Sequence, residues 1–402
     1  MQTKFSQAIL NTPQGREAGT IIRNCVHCGF CNATCPTYQI LGDELDGPRG
    51  RIYLINQMLE GAPVTHHTLT HLDRCLTCRN CETTCPSGVQ YGQLLDIGRA
   101  IIVNKVTRPW HQRLARWLLR RIVPYRGRFT PLLRLAQLLR PLLPGNLKRS
   151  IPMRRQSILA STNRHNRTML VLAGCVQPAM APNINAACTQ VLDRLGIHLV
   201  AAPAAGCCGA LCHHLDALDE ALHQARRNIN AWWPYIEAGA EAIVMTASGC
   251  GVHVKHYGYL LRDDPQYAAK AARVADLCKD IGEVLIKEDL ALLPSGNQRS
   301  VAFHSPCTLQ HGQRLTGIVE HILNHRGFSL TPVPEGHLCC GSAGSYSLLQ
   351  PVLSRQLRTQ KLQALQSGSP QFIATANIGC WAHLQSGTIL PVRHWIELLV
   401  GD

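Results

Sequence analysis

The sequence predicts a multidomain α+β protein: an N-terminal α-helical metal-binding domain followed by two copies of one α/β domain. Three observations predict it. A cysteine run at 25–36 recurs at 75–86. A second cysteine pattern, starting at Cys175, recurs from Cys307. In the second half of the chain, short apolar runs alternate with stretches of helical period, as parallel α/β folds require.

Both N-terminal runs read C-x2-C-x2-C-x3-C-P. This spacing holds [4Fe–4S] clusters in bacterial two-cluster ferredoxins, where the fourth cysteine serves the other cluster. One cluster is therefore assigned to Cys25, Cys28, Cys31 and Cys85. Cys75, Cys78, Cys81 and Cys35 take the other. Structural zinc sites use two cysteine pairs across a long loop, a different layout. Disulfides need an oxidising compartment, and no secretory signal is read.

Residues 1–104 form the two-cluster domain. Thirty-nine residues separate Cys35 from Cys75, too many for the small ferredoxin with strands between its runs. Apolar residues at 52–59 fall at helical spacing, and 66–73 and 93–103 read as further helices. The domain is thus expected to be an α-helical ferredoxin, similar to that of succinate dehydrogenase iron–sulfur subunits. Arg49, Arg51, Arg74 and Arg79 lie close to the runs and are candidates to stabilise reduced clusters or to dock a partner.

Residues 105–167 form a basic amphipathic linker. From Ile97 to Leu192 there is no Asp or Glu, while Arg recurs from Arg113 to Arg155 between leucines and Trp117. Pro124, Pro131, Pro141 and Pro144 are expected to cut it into short helices. Such helices suit an anionic membrane surface. The alternative is a linker whose leucines pack on its own domains. Nucleic acid is set aside, because nothing else resembles a base-reading module.

Residues 168–290 and 291–402 form the repeat. In each copy a strand, at 168–173 and Ser300–His304, leads to the first cysteine, Cys175 or Cys307. After thirty-one intervening residues comes Cys-Cys-Gly, with Cys207 and Cys208 or Cys339 and Cys340. A second strand, at 242–247 and 372–376, leads to Cys250 with His253, or Cys380 with His383. Helices are expected at 186–195, 218–231, 318–325 and 354–365. Every cysteine of the pattern follows a strand, where such sheets bind ligands. Cys188, Cys212 and Cys278 have no counterpart and read as structural thiols.

Composition narrows the function. The chain has 402 residues, 46% apolar and 16% charged, as a globular protein has. Its 19 cysteines and polar N-terminus fit a reducing compartment. No apolar run of about eighteen residues exists to cross a membrane. No G-x-G-x-x-G follows a strand, and the glycine-rich 341–345 lacks the Lys-Ser/Thr of a phosphate loop. The chain thus carries clusters without a flavin or nicotinamide site.

The repeats resemble the cysteine-rich CCG domains of heterodisulfide reductases and of iron–sulfur subunits of 2-hydroxy-acid and glycerol-3-phosphate dehydrogenases. That resemblance implies a third metal centre in a CCG repeat. The set Cys307, Cys339, Cys340 and Cys380 is favoured, with His304 and His311 near it, over Cys175, Cys207, Cys208 and Cys250. Histidine replaces the family's last cysteine in both copies, at His253 and His383. A histidine-bearing cluster, a zinc site and metal-free thiols stay open.

The stretches 25–31, 42–53, 75–86, 246–251 and 338–344, in this layout, resemble the iron–sulfur subunits of bacterial glycolate dehydrogenases (glycolate oxidases). The resemblance implies an electron-transfer subunit without glycolate chemistry of its own. FAD on partner subunits would oxidise glycolate to glyoxylate, with quinone as the respiratory acceptor. It implies a cytoplasmic chain, peripheral on the cytoplasmic face of the inner membrane. Subunits for lactate or glycerol 3-phosphate oxidation share the layout, and a heterodisulfide-reductase-like subunit is the further alternative.

Overall fold

The computed structural model describes residues 3–154 and 163–401, so 155–162 of the basic segment lie outside the described residues. The chain forms two compact units. The first comprises 1–116 with 337–357, the second 117–336 with 358–402.

Among the described residues of the first unit, every regular element is a helix. Its main helices are α1 (Pro13–Arg23), α2 (Pro48–Leu59), α3 (His66–Asp73) and α4 (Tyr91–Lys105). Thr12 caps α1 by accepting from Gly15 N, and Pro13 supplies a preset first turn. The helices bury Ile22, Ile55, Leu72, Leu94 and Leu95 completely. This core carries Cys25, Cys75 and Cys81 at its edge, so the cysteine loops rest on packed helices.

Two helices follow, α5 (Trp110–Ile122) and α6 (Arg126–Leu139). Pro124 separates them, but α6 runs through Pro131. The expected break is absent: the helix continues through Pro131 without the backbone donor that proline lacks.

The rest of the second unit holds two parallel sheets of the same strand order. The first has β1 (Arg167–Val171), β2 (Ile197–Val200), β3 (Ile243–Met245) and β4 (Cys278–Asp280), ordered β2-β1-β3-β4. The second has β5 (Ser300–His304), β6 (Ser329–Leu330), β7 (Phe372–Thr375) and β8 (Val392–His394), ordered β6-β5-β7-β8. Crossovers include α7 (Asn183–Arg194), α8 (Leu218–Glu237), α9 (Ser248–Lys255) and α10 (Ile318–His325). Later come α11 (Pro351–Gln366) and α12 (Ile378–Gln385). The short strands β2, β4, β6 and β8 lack an apolar run long enough to read from sequence.

The two sheets meet at the carboxyl ends of β3 and β7. Ser248 N donates to Ala376 O at 3.1 Å, and Gly249 N to Asn377 Oδ1 at 3.4 Å. Nearby, the Ser248 and Thr308 hydroxyls lie 2.7 Å apart. The strand ends carrying Cys250 and Cys380 are thus tied together within one unit.

Candidate metal centres

The two ferredoxin runs have one backbone. His27 and Gly29 adopt positive φ (56° and 84°), and Thr77 and Arg79 repeat this at the matching positions (54° and 60°). Two left-handed residues wrap each loop, and they turn N–H groups toward the sulfurs. Thr77 N lies 3.4 Å from Cys75 Sγ. Gly29 has a second reason to be glycine, since an added Cβ would come within 2.8 Å of the Arg49 guanidinium. One-turn helices at Phe30–Ala33 and Asn80–Thr84 follow the loops. Asn80 Nδ2 donates to Thr34 O at 3.0 Å, and the Thr84 and Thr34 hydroxyls lie 3.2 Å apart, so the runs are stitched together.

This stitching crosses the thiols. Cys31 is surrounded by Cys25, Cys28 and Cys85, all lining one cavity. Burial, then Cys25 and Cys28, push its thiol up to about 11. Cys81 is surrounded by Cys78, Cys75 and Cys35, and its thiol is also held far above its ordinary value, chiefly by burial. Each group of four neighbouring cysteines is a donor set that the four iron atoms of one cluster would satisfy. Cys85 of the second run thus lies near the thiols of the first, and Cys35 of the first run near those of the second.

The first Cys-Cys-Gly repeat also gathers its thiols. Cys175 follows β1, Cys207 and Cys208 follow β2, and Cys250 lies in the first turn of α9 after β3. Their sulfurs form a row of hydrogen-bonded neighbours, Cys175 with Cys207, Cys207 with Cys208, and Cys208 with Cys250. The bond with Cys207, then burial, hold Cys175 well above its ordinary pKa. Gly209 has φ +101°, and a Cβ there would come within 3.0 Å of both Ala221 O and His253 Nε2. His253, the residue replacing the family's last cysteine, is therefore packed against the Cys-Cys-Gly turn.

In the second repeat, Cys307 and Cys380 lie buried in the second unit, whereas Cys339 and Cys340 lie buried in the first. The ligating atoms of His304 and Cys380 are within 4.8 Å of one another. Burial, then Lys361 and His383, hold the His304 pKa well below its ordinary value, so its imidazole is neutral and able to ligate metal. His311 is also buried.

Residues 21–89 match the 4Fe-4S dicluster domain family, and 169–255 and 301–385 each match the cysteine-rich domain family. Over 402 residues the chain is 55% identical to the glycolate oxidase iron-sulfur subunit of Escherichia coli K12, covering 99% of this chain and 98% of that protein. The chain belongs to the glycolate oxidase iron–sulfur subunit family.

A probable glycolate oxidase iron-sulfur subunit of Bacillus subtilis is 28% identical, with 90% of this chain and 88% of that protein covered. Lactate utilization protein A of Bacillus pumilus is 28% identical over 51% of this chain and 85% of its own length. A crystal structure of a hypothetical protein from Helicobacter pylori shares the fold, with TM-score 0.53 at 12% identity, covering 97% of this chain and 72% of that one. Membership of the glycolate oxidase iron–sulfur subunit family makes this an iron–sulfur electron-transfer subunit with an oxidoreductase role.

For such a subunit, sequence reasoning missed the residues that hold the cysteine loops. Asn228 Nδ2 donates to Cys207 O at 2.8 Å, and the Tyr257 hydroxyl donates to Cys208 O at 2.5 Å. Arg126, in the basic segment, donates to Gly174 O at 2.8 Å, beside Cys175. Near the ferredoxin loops, Tyr91 OH donates to Cys75 Sγ at 3.5 Å and Thr37 Oγ1 lies 3.3 Å from Cys35 Sγ. The polar residues Asn228 and Asp46 are fully buried; Asp46 falls in the stretch 42–53 singled out above, whereas nothing in the local sequence marks Asn228.

Proposed function

We propose that this chain carries electrons from FAD on partner subunits, where glycolate is oxidised to glyoxylate, toward a respiratory quinone. It would work at the cytoplasmic face of the inner membrane. The crossed arrangement of the eight ferredoxin cysteines carries the reading. Cys25, Cys28, Cys31 and Cys85 would hold one [4Fe–4S] cluster, and Cys75, Cys78, Cys81 and Cys35 the other. Bound there, the clusters would supply single-electron transfer, dividing the electron pair that a flavin delivers.

The protein's own residues make the two sites unequal. Cys28 is exposed, with Val26 and Phe30 exposed beside it, and that edge suits docking of an electron donor or acceptor. Cys75, Cys81 and Cys35 are buried, and Arg51 places a charged guanidinium near Cys75 and Cys35. The row Cys175, Cys207, Cys208 and Cys250 supports a third metal centre in the first repeat.

Metal and sulfide analysis with EPR on anaerobically purified protein tests this. About eight iron and eight sulfide belong to the ferredoxin domain. Metal beyond that, lost in Cys208→Ser with the ferredoxin signals retained, supports the third centre. Glycolate turnover without a flavoprotein overturns the electron-carrier reading. The half-length likeness to lactate utilization protein A favours lactate as the second substrate to try.

A further inference from the structure

The two helices of the basic segment present apolar residues outward. On α6, Leu132, Leu135, Leu138 and Leu139 are exposed, at the spacing of one helix face, and Leu142 just beyond is 82% exposed. The opposite side of α6, with Phe129, Leu133 and Ala136 part-buried, turns inward, and Arg126 at its start is bonded to Gly174 O. On α5, Trp110, Leu114, Trp117 and Leu118 likewise form one exposed stripe. Arg128 Nη1 donates to Arg121 O at 2.8 Å, which ties the end of α5 to the start of α6. The leucines thus split between the two expectations: some pack on the chain's own domain, and the larger stripe does not.

Charge narrows what covers this stripe. Residues 105–167 contain sixteen Lys and Arg and no acid, whereas the whole chain carries a formal charge of +15. The remainder of the chain is therefore near neutral, and the positive excess belongs to this segment. Its cover must offer apolar depth and negative charge together over a continuous area. Anionic lipid offers both, and Trp and Arg are the side chains that settle at the level of its headgroups. No helix among the described residues is long and apolar enough to cross a membrane.

We propose that the exposed stripe of α6, with Trp117 and Leu118 of α5, lies in the surface of an anionic bilayer and anchors the subunit there. The proposal rests on the peripheral placement above and names the surface responsible. The leucines enter the acyl boundary, while the flanking arginines stay among the headgroups.

Co-sedimentation of the cluster-loaded full chain with phosphatidylcholine vesicles, with and without phosphatidylglycerol, tests this. Binding should require phosphatidylglycerol, weaken with salt, and fall at least tenfold in Leu135→Glu/Leu139→Glu. The exposed leucines should tolerate that change, and iron content with cluster EPR verifies folding in the same sample. As a second readout, brominated lipid should quench tryptophan fluorescence in the native chain, less so in Trp117→Phe. Equal binding to both vesicle types, no binding, or unchanged binding of the double variant overturns the proposal. Protection of this face only on mixing with a flavoprotein would assign it to a protein partner instead. None of these outcomes touches the electron-transfer reading, which the EPR signals report separately.

Discussion

Arg51 Nη2 lies 3.4 Å from Asp46 Oδ1, and neither side chain exposes more than 1% of its surface. Arg74 Nη1 reaches the other carboxylate oxygen at 2.8 Å, and His71 Nδ1 lies 3.0 Å from the first. Burial alone would lower the Arg51 pKa, but Cys75, Tyr91, Cys35 and Asp46 around it raise it, so the guanidinium stays charged. Arg51 also donates to Thr37 Oγ1 at 3.2 Å, next to Cys35. A positive charge held there favours the more negative, reduced state of a cluster on those thiols.

Arg51→Met should therefore lower the midpoint of the cluster on Cys75, Cys78, Cys81 and Cys35. A tenfold loss in the reduction constant corresponds to about 59 mV for one electron. Arg51→Lys should stay close to the native value. EPR-monitored redox titration reads both, and an unmoved midpoint in Arg51→Met would show that Arg51 only braces the fold.

The proposed crossed ligand sets predict a crossed mutational phenotype. Cys85→Ser lies in the second run but should damage the cluster of the first, and Cys35→Ser the reverse. Each variant should lose or alter one of two EPR signals, with the three-cysteine set of its own run intact. Damage confined to the mutated run's own cluster would mean that each run closes on itself.

The Cys-Cys-Gly turns should reject any side chain. Gly209 and Gly341 have φ of +101° and +87°, which costs an L-residue about 1–2 kcal/mol. At Gly341 a Cβ would also approach Ser354 O to 2.6 Å, closer than the 3.0 Å contacts at Gly209. Gly341→Ala should thus lower the thermal midpoint more than Gly209→Ala, measured anaerobically by circular dichroism.

Two buried groups give stability opposite slopes with pH. His394 donates from Nε2 to Thr246 O at 2.8 Å, linking the second sheet to the first. Burial lowers its pKa from 6.5 to about 4, opposed by backbone hydrogen bonds. Its contribution is complete above pH 6.5 and is lost as pH falls toward 4. Burial raises Asp280 from 3.8 to about 7, so its contribution is complete below 3.8 and is lost as pH rises to 7. Between pH 5 and 6.5 the two offset. Relative to the native chain, Asp280→Asn should become less stable with acid and His394→Gln less stable with rising pH. Each slope should reach at most about 1.4 kcal/mol per pH unit. Urea denaturation across that window checks both, and parallel curves for all three proteins would refute it.

The sequence by itself determined the dicluster domain and the doubled α/β pattern, because cysteine spacing and strand–helix alternation are local. It placed α3 and α10 to the residue, at His66–Asp73 and Ile318–His325. It could not show that α6 continues through Pro131, nor which of its leucines face inward. Nor could it join Asp46 to Arg51, or His394 to Thr246 across 148 positions. Those pairings arise only when packing removes water from groups distant in the chain, and the cost of burying each charge or donor unpaired then selects its partner.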